Sequence, residues 1–117
     1  MKIELVLPYP PSLNHYWRRV GPRTLLSKAG RKYRERLTSI VRSQGLPPIE
    51  GWLECWITAF PPDRRRRDVD NLLKALLDGL EHSGLYGNDY QIASLHIKRG
   101  DPKRPDGEVV VALAMMV

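Results

Sequence analysis

The chain has 117 residues, nineteen Lys and Arg against thirteen Asp and Glu, a net charge of +6 and one cysteine, Cys55. That length makes a single domain over 1–117 with a modest core, and the lone cysteine excludes an intrachain disulfide or a cysteine-ligated zinc. No apolar run reaches the roughly 18 residues of a membrane span, Met1-Lys2-Ile3-Glu4 lacks the apolar stretch of a signal peptide, and the basic balance favours a polyanion such as nucleic acid; the cytoplasm is the default location.

In chain order, Lys2 to Leu7 alternates, with Ile3, Leu5 and Leu7 on one side, and predicts a strand that Pro8, Pro10 and Pro11 end. The aromatic and basic segment Asn14-His15-Tyr16-Trp17-Arg18-Arg19 is expected as a surface loop, broken by Gly21-Pro22. Ser27 suits a helix N-cap. Tyr33, Leu37, Ile40 and Val41 then recur with helical spacing, so residues 28–43 are expected to be helical, with Gly45 just past the end. Lys28, Arg31, Lys32 and Arg34 fall on the outer face of this helix.

Residues 52–60 are rich in β-formers and predict a second strand, closed by Pro61-Pro62. A second helix is expected over 69–82. Val69, Leu72, Leu73, Leu76, Leu77 and Leu80 share its apolar face, and Asp70, Asn71, Lys74, Asp78 and Glu81 a polar stripe. Gly84 ends it. Strands are expected at 91–98 and 108–115, joined by a turn-rich hairpin loop over 100–107 with Lys98 and Arg99 at its base. The order is β-α-β-α-β-β. Each helix must bury one face, which gives an α/β (α+β) fold: a four-stranded mixed sheet with two main helices.

The chemistry concentrates at Asp63-Arg64-Arg65-Arg66-Arg67-Asp68-Val69-Asp70-Asn71 and the Lys74 that follows. Arginine forks match phosphate oxygens, and paired carboxylates suit a hard cation such as Mg²⁺, for which Mn²⁺ is the natural substitute. Each half alone has a plain explanation, a solvated loop or a helix cap. Together they predict phosphodiester hydrolysis by a metal-activated water. Asp68 and Asp70 are the first two ligands. On spacing, Asp89 serves equally as a third ligand or as a turn cap. Lys74 is placed to stabilise charge on the scissile phosphate, or simply to pair with Asp70 on the helix surface. Asn71 and Asp78 are expected to orient the site from behind. Successive arginines alternate in an extended loop, so two of Arg64, Arg65, Arg66 and Arg67 should face DNA and two the solvent or the local acids. Asn14, Arg18, Lys28, Arg31 and Lys32 extend the candidate DNA-binding set. His15, His82 and His96 are scattered, Cys55 suits packing, and no Walker A or Gly-x-Gly-x-x-Gly pattern calls for a nucleotide cofactor.

The run Asp63 to Lys74 resembles the signature of the RusA-type Holliday-junction resolvases, and Pro10-Pro11-Ser12-Leu13-Asn14 is similar to their N-terminal Pro-Pro-Ser-x-Asn element. Leu77-Asp78, Asp89 and the chain length also match. The resemblance implies a homodimeric, Mg²⁺-dependent endonuclease of a bacterium or phage that resolves four-way DNA junctions by paired symmetric nicks in recombination and repair. It implies Asp68, Asp70 and Asp89 as metal ligands and Lys74 as the essential cation. A twofold dimer matches the symmetry of a junction. Trp52, Trp56 and the 109–117 segment are interface candidates, with core burial the alternative for most of them. The other classes to weigh are a non-catalytic DNA-binding module and a broader metal-dependent nuclease of branched DNA.

Overall fold

A computed structural model describes residues 2–116; Met1 and Val117 lie outside the described residues. Strand β1 (Lys2–Leu7) is followed by a one-turn helix α1 (Leu13–Tyr16), a hairpin of β2 (Trp17–Val20) and β3 (Arg23–Leu26), and helix α2 (Lys28–Ser43). Strand β4 (Leu53–Phe60), helix α3 (Leu73–His82), strand β5 (Ile92–Arg99) and strand β6 (Glu108–Met115) complete the order. Among the described residues no helix is long and apolar enough to cross a membrane.

The main sheet runs β1-β6-β4-β5. β6 pairs antiparallel with both β1 and β4, whereas β4 and β5 are parallel, so the sheet is mixed as expected. α3 is the crossover between the parallel pair. This corrects the expected hairpin at 100–107. β4 lies between β5 and β6, so that segment crosses the end of β4 rather than turning back on its neighbour. Its turn residues reverse the chain locally but carry no information about which strand lies beyond.

One face of the sheet carries the core. Leu53, Cys55, Ile57 and Ala59 of β4 alternate inward with Val109, Val111 and Leu113 of β6 and Leu5 and Leu7 of β1. Tyr33, Leu37 and Val41 of α2 and Leu76 and Leu80 of α3 close over them. Gly79 lets the two helices approach: a Cβ there would stand 2.8 Å from Leu37 Cδ2. Burial pushes the Cys55 thiol up to about 12, which fits packing and not reactivity.

The helix ends follow local chemistry. Ser27 Oγ accepts from the Gly30 amide at 3.0 Å. Gly45 takes φ 64° just past α2. At the end of α3, Gly84 takes φ 85°, and the Gly84 and Leu85 amides donate to the Glu81 and Leu80 carbonyls at 3.0 and 3.3 Å. Two expectations are corrected. Residues 14–19 are not a loop but the α1 turn and the first strand of a hairpin. α3 starts at Leu73, not 69, because Val69–Leu72 form tight turns, with the Asn71 and Leu73 amides donating to the Asp68 and Asp70 carbonyls at 3.2 and 3.1 Å.

Candidate active site and nucleic-acid interface

β4 delivers the chain to the arginine loop, and Asp63 organises it. The Asp63 carboxylate accepts from the Arg65 amide at 2.9 Å and meets Arg67 Nη1 at 2.7 Å and Arg65 Nε at 3.3 Å. The Arg67 side chain and then the Arg65 amide hold its carboxyl down at about 2. The expected alternation is present. Arg65 and Arg67 turn to Asp63, while Arg64 and Arg66 are exposed and have no ion-pair partner among the described residues. Arg99 of β5 donates to the Arg67 carbonyl, and a Cβ at Gly107 would stand 2.8 Å from both the Phe60 carbonyl and the Pro62 nitrogen. The crossing segment is therefore packed against the root of this loop.

A cleft of about 820 Å³ opens here, lined by Arg64 to Arg67, Asp68, Tyr9, Lys98 and Arg99 among others. A smaller one of about 350 Å³ is lined by Pro10, Pro11, Ser12, His15, Asn71 and Arg65 to Arg67. The N-terminal Pro-Pro-Ser element and the central motif, some fifty residues apart in sequence, thus share one wall. Tyr9, Lys98 and Arg99 belong to this surface, although sequence patterning singled out none of them as site residues.

Asp68 and Asp70 sit on the turns before α3, exposed, and neither carboxylate has an ion-pair partner among the described residues. They precede the amide end of the helix, which favours negative charge. Asn71 does not cap α3; its Oδ1 accepts from the Leu13 amide at 3.3 Å and ties α1 to the motif. Lys74 is half exposed and pairs with Asp78, at 4.0 Å, instead of Asp70.

Asp78 belongs to a polar cluster between α1, α2 and α3. Its Oδ2 accepts from Arg34 Nη2 at 2.6 Å and from the Tyr16 hydroxyl at 2.9 Å, and Arg34 Nε donates to that same hydroxyl at 3.0 Å. Burial works against the Asp78 carboxylate, but Arg34 and Tyr16 more than offset it and hold the group below its ordinary range. Burial, with Asp78 alongside, pushes the Tyr16 hydroxyl up to about 12 against the opposing pull of Arg34. Arg34 is therefore not on the outer face of α2. Its place one residue after Tyr33 and three before Leu37, at the flank of the apolar stripe, is the signal that could have found it.

Asp89 starts a 3-10 turn, Asp89–Gln91, that Asn88 and Gln91 cap reciprocally. Its amide donates to Glu81 Oε1 at 2.7 Å. Glu81 is seven residues beyond Lys74, roughly 10 Å along the helix axis. Asp89 thus stands by the last turn of α3 and Asp68 and Asp70 by its start. Among the described residues no three His, Cys, Asp or Glu side chains converge as a metal cage. What the chain does offer is two unpaired carboxylates on one turn, and Mg²⁺ is commonly held by one or two carboxylates together with substrate phosphate and water. The donor set fits that habit. Asn14 is exposed on α1 and Arg18 on β2, and Lys28, Arg31 and Lys32 are exposed on α2, with Arg31 bonded to the Leu26 carbonyl at 3.0 Å.

Comparison with known proteins bears on this site directly. Residues 8–113 match the family Endodeoxyribonuclease RusA. The chain is 42% identical over 111 residues to the crossover junction endodeoxyribonuclease rusA of Enterobacteria phage HK97, covering 94% of this chain and 92% of that one. It is 38% identical over 99 residues to its counterpart in Shigella sonnei and 37% identical over 99 residues to that of Escherichia coli K12, covering 80% of this chain and 79% of each. The arginine run, the paired aspartates and the cleft that the run and Asp68 line lie inside the matched span, and the chain belongs to the RusA family of endodeoxyribonucleases.

Proposed function

We propose that the protein is an Mg²⁺-dependent, structure-selective endodeoxyribonuclease that resolves four-way DNA junctions by paired symmetric nicks, working as a homodimer in the cytoplasm of a bacterium or a phage-infected host. The observation that carries this is the cleft in which Asp68 stands among Arg64 to Arg67, Lys98 and Arg99. Unpaired arginines supply phosphate grip, and an adjacent carboxylate pair supplies hard oxygen ligands. Two curated relatives of bacterial and phage origin carry the name crossover junction endodeoxyribonuclease, which supports the substrate.

Asp68 and Asp70 would hold the cation, with substrate phosphate and water filling its shell, and Asp89, by the last turn of α3 in this structure, would be the third carboxylate. When bound, Mg²⁺ polarises the phosphoryl oxygens and lowers the pKa of a coordinated water. Arg64 and Arg66 hold the backbone on either side of the scissile phosphate. Lys74, steadied by Asp78, presents its ammonium to the negative charge that develops there. Asn71 fixes the motif turn against α1 through the Leu13 amide. A twofold pair of such sites matches the twofold of the junction, so opposed strands are cut together.

Cleavage of a four-way junction and of a linear duplex of the same arm sequence, with and without Mg²⁺, tests this. Paired nicks confined to the junction and dependent on the cation are expected. Binding without nicks would point instead to a DNA-binding module, and nicking of both substrates to a broader nuclease.

A further inference from the structure

The β2–β3 hairpin stands apart from the main sheet and forms a two-stranded ribbon of its own. Its register pairs Trp17 with Leu26, Arg18 with Leu25, Arg19 with Thr24 and Val20 with Arg23. Directly opposed residues share a face, and faces alternate along each strand. Trp17 and Leu26 therefore mark one face, and both pack on the core. Arg19 lies on that same side. Arg18, Val20 and Arg23 lie on the other.

The base of the ribbon is fixed and its tip is free. The Ser27 amide donates to the Tyr16 carbonyl at 2.9 Å. A Cβ on Gly30 would come within 2.6 Å of that carbonyl and 2.8 Å of Leu26 Cδ1, so α2 is pressed against the base. At the tip, Gly21 has φ 59°. Pro22 is fixed near about −65°, which excludes a turn with two positive φ angles and leaves the type II′ turn suited to a twisted ribbon. Residues 18–24 are all exposed, and Val20 is 45% exposed. Arg18, Arg19 and Arg23 have no ion-pair partner among the described residues. Unpaired cations gathered on a stiff arm repel one another, and a polyanion relieves that repulsion.

The arm is also tied to the motif. It leaves α1 directly, and α1 is bonded to Asn71 through Leu13 and to Asp78 through Tyr16. Four residues of strand extend it roughly 13 Å from that anchor. A branch point differs from continuous duplex in offering end-facing base pairs, against which small apolar side chains can rest.

We infer that the β2–β3 hairpin is the branch-sensing element of this enzyme: Arg18 and Arg23 grip the phosphates of the arm beside the cleaved strand, and Val20 at the tip rests on the base pair exposed at the crossover. The inference rests on the junction-nuclease function proposed above. Arg19, on the opposite face, takes no part.

The test uses the full chain with Arg18→Ala, Arg23→Ala, Val20→Thr and Arg19→Ala. Each is titrated without divalent cation against a four-way junction and a linear duplex at several salt concentrations, with thermal melting as a check on folding. Arg18→Ala and Arg23→Ala are each expected to lower the slope of log K against log salt by about one and junction affinity by about tenfold. Val20→Thr keeps the ribbon's β-branched side chain and the slope, but reduces the junction-to-duplex preference several-fold. Arg19→Ala matches the wild type. If the wild type prefers junctions and Arg18→Ala and Arg23→Ala bind as it does, or if Arg19→Ala is as damaging as they are, the hairpin assignment is overturned alone. A wild type that neither prefers nor cuts junctions overturns the function on which it rests.

Discussion

Arg34 of α2 and Asp78 of α3 meet across the helix interface at 2.6 Å, with Tyr16 bonded to both. Three elements distant in sequence are thereby locked behind the motif. Asp78→Asn weakens two charge-assisted bonds in a part-buried setting and is expected to cost about 1–3 kcal/mol, read from urea unfolding. Lys74 keeps its helix position, so any loss of cutting beyond the loss of folded protein measures how far Asp78 steadies it.

Acid sensitivity should follow from the same carboxylates. Asp63, at about 2, and Asp78 are both held below their unfolded values. A depressed carboxylate contributes stability above its unfolded pKa, near about 4, and loses it as pH falls through the folded value. Stability is therefore expected to be level from pH 5 to 7 with respect to these groups and to fall below about pH 4. In the Asp63→Asn and Asp78→Asn chains that acid slope should be shallower. An unchanged slope in both would remove them from the acid response.

Asp70→Asn is expected to abolish cleavage while junction binding holds or tightens. The carboxylate has no internal partner, so its loss leaves stability within about 0.5 kcal/mol of wild type. Removing one negative charge also lessens repulsion of the DNA backbone. Mg²⁺-dependent nicking at the wild-type rate would take Asp70 out of the mechanism.

Lys74→Ala should cut on the order of 100–1,000-fold more slowly with little change in melting temperature. Its side chain is half exposed and its contact with Asp78 is long, at 4.0 Å. A sharp fall in stability with normal activity per folded molecule would make it structural.

The arginine run should divide by parity. Arg64→Ala and Arg66→Ala each lower the salt slope of junction binding by about one. Arg67→Ala instead disorders the loop, because it takes away the Asp63 contact at 2.7 Å and the bonds of the same guanidinium to the Asp63 and Arg65 carbonyls. Its signature is slower cutting with a nearly unchanged slope. Equal slopes across Arg64→Ala, Arg66→Ala and the wild type would mean a solvated loop.

Much of this was legible from local chemistry. Ser27, Gly45 and Gly84 mark helix ends because capping needs only nearby backbone. Leu37, Leu76 and Ile57 fall in the core because periodicity reports one buried face. Other features depend on what lies across the fold. The apolar spacing of Val69 and Leu72 continues the α3 pattern, yet the chain there is spent on turns that display Asp68 and Asp70. Trp17 and Leu26 alone anchor the hairpin, too few apolar positions to register as strands beside so many arginines. Arg34 looks solvated until Asp78 and Tyr16 are brought to it. Asp68, Asp70 and Lys74 stand out as candidates from residue type and spacing. Tyr9, Lys98 and Arg99 do not, since they reach the cleft from separate strand ends.

The crossing segment 100–107 has a consequence for how such an enzyme can change. Because it packs on Phe60 and Pro62, directly after the β5 residue Arg99 that donates to the Arg67 carbonyl, it shores up the arginine loop from outside. Among the described residues it has no such bond to the Asp68–Lys74 segment, which hangs instead from α1 and α3. Lengthening or rebuilding this segment would therefore act first on how the backbone of a substrate is held. Grip and chemistry therefore hang from different supports around one cleft, and a lineage can drift toward new DNA shapes through one loop while α1 and α3 keep the acids in place.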